Sequence, residues 1–214
     1  MHIEPGVVNG AKLMLGAITA GGAATYSFKL ILDSFKRENA LSILVRGLMA
    51  SVLVFCFFQV LPHYPVGVSE VHFILGSTLF LLFGASAAAI GLTFGLLLQG
   101  IFFAPTDLPQ LGMNLTTLLV PLFALNVLAK KIIAEDVSYK DISYKQSLKF
   151  SAIYQAGIVS WVAFWSVYGS GFGVETLTAV MAFAASYSVV VVVEPLLDLL
   201  LLGAIKNHES DRRD

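Results

Sequence analysis

"VHFILGSTLFLLFGASAAAIGLTFGLLLQ", running from Val71 to Gln99, is the stretch on which the fold turns. As one helix its roughly 29 residues would measure ~43 Å, well beyond the ~30 Å hydrocarbon core of a bilayer. Two crossings are therefore expected, near 71–84 and 86–104, with a tight turn in "GASAAAIG" preferred over a single bent helix. Working outward, further apolar runs lie near 8–33, 41–61, 112–133, 149–169 and 174–203, which makes seven expected spans. Composition agrees. The chain has 214 residues, of which 57% are hydrophobic and only 13% charged. A soluble domain carries about 25% charged residues, so this chain lacks the surface for life in water. It reads as an all-α, polytopic membrane bundle.

Basic residues give the expected orientation, because cytoplasmic loops are enriched in Lys and Arg. Lys36 and Arg37 lie in one loop, Lys130, Lys131, Lys140, Lys145 and Lys149 in another, and Lys206, Arg212 and Arg213 in the tail. The alternate loops "PHYPVGVSEVH", "APTDLPQLGMN" and "YGSGFGVE" contain neither. This places the N-terminus outside and the C-terminus in the cytoplasm, with one membrane domain over 1–205 and a polar tail over 206–214. No secretory signal precedes the first span. Cys56, the single cysteine, excludes an intramolecular disulfide. No Walker A pattern occurs, so nucleotide hydrolysis by that route is excluded, and "GSGFG" reads as a flexible turn. The echo of "VSYKD" in "ISYKQ" reads as an interfacial linker. Trp161, Trp165 and Tyr168 read as packing and an aromatic belt.

The chain opens "MHIEPG". A free amine, an amide nitrogen and the His2 imidazole can close fused chelate rings, and a fourth nitrogen would complete the planar geometry that suits Ni(II) and Cu(II). A chance histidine on a disordered end is the alternative. His72, at the head of the third expected span, is the candidate fourth ligand, since histidine in an apolar run needs a partner or a job. His63, amid "LPHYP", reads as interfacial, and His208 as solvent-exposed.

"MHI" with a following Pro-Gly turn, "VGVSEVHFILG", "LLLQGIFF" and "LGMN" occur here in an order that resembles the CbiM/NikM family. These are the substrate-binding membrane components of energy-coupling factor (ECF) importers for cobalt and nickel. The resemblance covers roughly the first 130 residues well and the remainder only as hydrophobic spans. It implies that Met1, His2 and His72 hold the metal, and that Asn114 stands beside the ligands or on the path by which metal arrives. It implies Ni(II) or Co(II) as bound substrate with no catalytic cofactor. The partners it implies are a transmembrane coupling protein, ABC-type ATPase subunits and an optional small accessory membrane subunit in the bacterial inner membrane. Nucleic acid has no part. The chain departs from the family in Ile3-Glu4-Pro5-Gly6, in Glu70 where a small hydroxyl residue is usual, and in "APTDLPQ" with Asp107. Glu70 either attracts cations or hydrogen-bonds an imidazole.

Two further features carry expectations. Glu194 and Asp198 share a face of the last span, and Arg46 enters from the same membrane side. An intramembrane ion pair is expected there in preference to a cation relay. Gly16, Ala20 and Ala24 on the first span are spaced for close helix contact in lipid, and in ECF systems such a face docks on the coupling protein. The function expected is a non-enzymatic binding subunit. A self-sufficient permease is the alternative, and an intramembrane metal enzyme is disfavoured by the absence of an HExxH pair.

Overall fold

Asn39 starts the second helix by accepting a hydrogen bond from the Leu41 amide at 2.8 Å, and Ser143 and Gln146 satisfy one another's backbone in a capping box at the fifth. Such local signals, with the apolar runs, divide this computed structural model, which describes residues 3–133 and 141–211, into helices α1 (Leu13–Phe35), α2 (Ala40–Gln59), α3 (Gly76–Phe102), α4 (Leu111–Ile132), α5 (Tyr144–Ser170) and α6 (Val174–Asp211). A short hairpin, β1 (Tyr64–Val66) and β2 (Ser69–Val71), precedes α3, and 3-10 turns precede α1 and α4. Among the described residues six helices are long and apolar enough to cross a membrane. The chain is an all-α polytopic bundle.

Seven spans were expected, and the difference lies in the stretch from Val71 to Gln99. Both expected spans fall within α3, which is broken at Gly84 by φ 79° and ψ 166°, values outside the helical region. Contacts give the course of the chain on either side of the break. Glycines 47, 91 and 95 let α2 and the second arm of α3 meet so closely that an added Cβ would lie 2.9 Å or less from Ile90, Ala50 and Val54 respectively. Positions 47, 50 and 54 thus meet 90, 91 and 95 in the same order, and the 85–102 arm runs parallel to α2. The 76–83 arm runs the other way. It begins near His72, beside Phe58 at the end of α2, and finishes with the Phe83 carbonyl accepting from Arg46 near the start of α2 at 3.1 Å. Ser86, just past the break, meets Ser34 Oγ at 2.6 Å at the end of α1. Eight residues make only ~12 Å of helix. The third expected span is therefore an extended segment plus a short helical arm, and not a full helix.

The core is apolar, with Phe58, Leu79, Leu92, Leu122, Phe150 and Phe183 buried together. Large apolar side chains such as Met14, Ile18, Leu48 and Met181 are about two-thirds exposed on the outside, where lipid would cover them. Since lipid tails are as apolar as these side chains, close packing at small residues holds such helices together. The last helix continues to Asp211, so the described part of the expected polar tail is helical.

Candidate metal centre

A tight turn at Gly67 makes the hairpin. Its φ is +65°, and a Cβ there would lie 2.1 Å from the Ala179 carbonyl oxygen of α6, so the turn is wedged against the bundle and only glycine fits. β1 and β2 pair antiparallel, Tyr64 with Val71, Pro65 with Glu70 and Val66 with Ser69. The N-terminal segment then lies along the other edge of β2. Ile3 forms an antiparallel bridge with Ser69, and the Glu4 amide donates to the Val68 carbonyl at 3.2 Å. The Ile3 amide donates to Asn114 Oδ1 on α4 at 2.9 Å, and the Ile3 side chain is buried with Val8, Met113 and Trp165.

His72, one residue past β2, is fully buried. Its ring lies between Phe58, centroids 4.9 Å apart, and His63, stacked at 4.9 Å with the planes 9° apart. Glu70 Oε2 stands 3.5 Å from His72 Nε2. One ligand atom from each of His63, Glu70 and His72 lies within 4.8 Å of the others. The His72 carbonyl accepts from the Tyr187 hydroxyl at 3.3 Å, which fixes the backbone behind the ring. Negative charge gathers at the same end. Partial burial pushes the Glu4 carboxyl above its ordinary value, and the neighbouring Glu70 and Asp107 add to the shift. Like charges raise one another's pKa, and a cation relieves that repulsion. The arrangement offers imidazole nitrogen and carboxylate oxygen together, donors that suit a divalent transition metal.

Of the expected ligands, His72 stands in this cluster, while Met1 and His2 lie outside the described residues. Asn114 holds the N-terminal segment by a direct hydrogen bond. Glu70 stands beside the His72 imidazole. His63, expected as an interfacial residue, is stacked on His72. The signal was the hairpin itself. A turn centred on Gly67 and Val68 pairs residues whose numbers sum to 135, which sets 63 opposite 72.

Two expectations are corrected. Arg46 does not pair with Glu194 and Asp198; its guanidinium reaches Glu38 and the Phe83 carbonyl instead. Glu194 and Asp198 do share a face of α6 and are fully buried, but Glu194 accepts from the Ser77 amide at 2.9 Å, the Thr78 amide at 3.2 Å and Gln155 Nε2 at 3.3 Å. It caps the first turn of α3, where free amides and the helix dipole favour a carboxylate. Asp198 accepts from Ser147 Oγ at 2.6 Å. The second correction concerns α1. Gly16 is packed inside against Met113, where a Cβ would lie 2.8 Å from its Cγ. Ala20 is half-buried and Ala24 exposed, so the three do not form one outward face. The exposed small residues of α1 are Ala17, Gly21, Gly22 and Ala24.

The family model for CbiM, described as the cobalt uptake substrate-specific transmembrane region, matches residues 2–212. No curated protein matches the chain in sequence. Two crystal structures share the fold. One, a transition metal transporter, is 17% identical with a TM-score of 0.70, the alignment covering 98% of this chain and 94% of that one. The other, a truncated transition metal transporter, is also 17% identical with a TM-score of 0.70, over 97% of this chain and 99% of that one.

Proposed function

The chain belongs to the CbiM family of cobalt uptake transmembrane proteins, and from that premise we propose that it is the high-affinity binding subunit of an ATP-driven ECF importer for Co(II) or Ni(II). It is a multi-pass membrane protein of metal uptake. In this reading the hairpin end faces outward in the bacterial inner membrane, as the basic loops imply, and the metal is substrate and not a catalytic cofactor. The ligands are the Met1 amine, the His2 amide and imidazole, and the His72 imidazole.

One observation carries the site: the fixing of Ile3. Its amide is held by Asn114 and its backbone pairs with Ser69, three residues before His72. Ile3 is two residues from Met1, and two residues span at most ~7 Å, so the pairing of Ile3 beside Ser69 supports a reading in which the amine and the His2 nitrogens serve the His72 end of the bundle. Deprotonated nitrogen donors in a planar array favour Ni(II) and, less strongly, Co(II).

Energy must come from elsewhere, since the sequence has no Walker A pattern. The coupling protein and ATPase pair supply it, with a small accessory membrane subunit where loading needs one. The exposed small residues around Ala24 are the surface offered to the coupling protein. The deciding experiment uses protein with a native, untagged N-terminus. Anomalous diffraction and metal analysis should find one ion bonded to His72 and the N-terminal nitrogens. An ion elsewhere, or none after loading with Ni(II) and Co(II) in turn, overturns the site. Reconstitution in liposomes should give accumulation only with the ATPase partners, and ATP-independent accumulation by the lone chain would favour the permease.

A further inference from the structure

A buried chelate poses a kinetic problem. A hydrated divalent cation resists losing its water, since a desolvated charge is costly until ligands replace the shell. His72 is fully buried and cannot meet an incoming hydrated ion directly. Two neighbours can. His63 is exposed and Glu70, with 29% of its side chain accessible, is half-buried, so donors are graded from solvent inward to His72.

We propose that His63 and Glu70 form a capture station for a partly hydrated divalent transition metal ion and pass it to His72. The proposal rests on the reading that His72 is a ligand of the final site. Three observations carry it. First, the geometry permits a relay. Glu70 Oε2 and His72 Nε2 are 3.5 Å apart, close enough for both to touch one ion with bonds of about 2.0–2.2 Å. The His63 and His72 rings are stacked with centroids 4.9 Å apart, and a ligand atom of His63 lies within 4.8 Å of those of Glu70 and His72, so an ion held at the exposed ring has only a short step to the buried one. Second, His63 Nδ1 stands 3.3 Å from the Leu61 carbonyl. With the proton on Nδ1 donated to that oxygen, Nε2 keeps its lone pair for metal, since the bond at one ring nitrogen selects the role of the other. Third, the pair is held in place. The hairpin register sets 63 opposite 72, and Gly67 wedges the turn against α6. Imidazole with carboxylate selects borderline transition ions over Mg(II) and Ca(II), which prefer oxygen alone.

A station that lies only on the path has a kinetic signature. It lowers the barrier for arrival and departure alike, so its loss slows both and leaves the affinity unchanged. The test is stopped-flow mixing of CoCl2 or NiCl2 with purified full-length protein bearing a native N-terminus, read by fluorescence of Trp161 and Trp165, the two tryptophans of the chain. Trp165 packs on Ile3. In His63→Ala the association and dissociation rates should both fall roughly tenfold, with Kd within about threefold of the parent. His63→Asp, which restores a donor atom, should recover much of the association rate, and Glu70→Gln should slow association most at low ionic strength. An unchanged association rate in His63→Ala refutes the station. A loss of affinity as large as that of His72→Ala also refutes it, by making His63 a ligand of the final site. Failure of the underlying reading looks different: His72→Ala would then bind as tightly as the parent, whatever happens at His63.

Discussion

Asn114→Ala tests the link between the bundle and the metal. Asn114 is 1% exposed, and its Oδ1 accepts the buried Ile3 amide at 2.9 Å. Truncation leaves that amide without this acceptor whenever the N-terminal segment docks. An orphaned buried donor costs about 1–3 kcal/mol, and each 1.4 kcal/mol is tenfold in a binding constant, so Kd for Co(II) or Ni(II) should weaken by ~5- to 150-fold. The cost enters metal affinity because the docked segment supplies the proposed nitrogens; a segment free of the metal would transmit none of it. Isothermal titration of untagged protein measures the change, and thermal unfolding without metal checks that the bundle survives. The control is Asn9→Ala, which removes only an exposed bond to the Gly6 carbonyl and should stay close to the parent. If Asn114→Ala binds within about twofold of the parent, the docked N-terminal strand has no role in holding metal.

Extending the N-terminus by one Gly, or acetylating it, should abolish tight binding on titration while leaving thermal unfolding unchanged, because acylation removes the amine lone pair. His2→Ala and His72→Ala should each lose tight binding by titration, whereas His208→Ala should not. Glu194→Ala should lower stability by roughly 2–4 kcal/mol, since it strips the acceptor from two buried amides and the Gln155 side chain; Glu194→Gln, which keeps a carbonyl acceptor, should lose less, and equal losses in thermal unfolding would remove the capping role. Ala24→Phe should spare metal binding but impair ATP-driven uptake by the full complex in vesicles. Normal uptake would show that this face is not the docking surface.

Much of the fold was legible because lipid imposes a simple rule: apolar runs of sufficient length become helices. The start of α5 was read late, near 149 where the apolar run begins, because the Ser143–Gln146 capping box that starts it at Tyr144 lies ahead of that run. Arg46 shows where such reading stops. A charge near the end of an apolar helix finds a partner, but which carboxylate arrives depends on helix packing, and Glu38, eight residues back, meets it first. Gly16 shows the same limit, because a spacing of four marks close contact without saying whether the neighbour is α4 or another protein. For the candidate site, the resemblance pointed to His72, which stands in the cluster with His63 and Glu70, and to Asn114, which holds the Ile3 amide. His63 was not legible, because its place depends on a hairpin register that was not worked out from "YPVGVSEV".

The segment from His72 to Ser77 also explains why α5 and α6 carry buried polar residues. Buried non-helical backbone leaves amides and carbonyls that neither water nor a regular helix satisfies, and it survives where other parts of the protein supply the partners. Here the Tyr187 hydroxyl donates to the His72 carbonyl, Gln155 donates to the Ile74 carbonyl at 2.9 Å, and Glu194 accepts from the amides of Ser77 and Thr78. Each would be costly alone in an apolar helix. Together they match the backbone groups that an extended entry into α3 exposes. The extended entry is in turn what allows His72 to face the hairpin and the N-terminal strand, since a helix starting at Val71 would have turned successive side chains by about 100° each and carried the ring around with them. The break at Gly84 completes the arrangement. A short arm can end at the Arg46 level and return as the 85–102 helix, so the chain gains a non-helical segment at the candidate site without giving up a full apolar crossing.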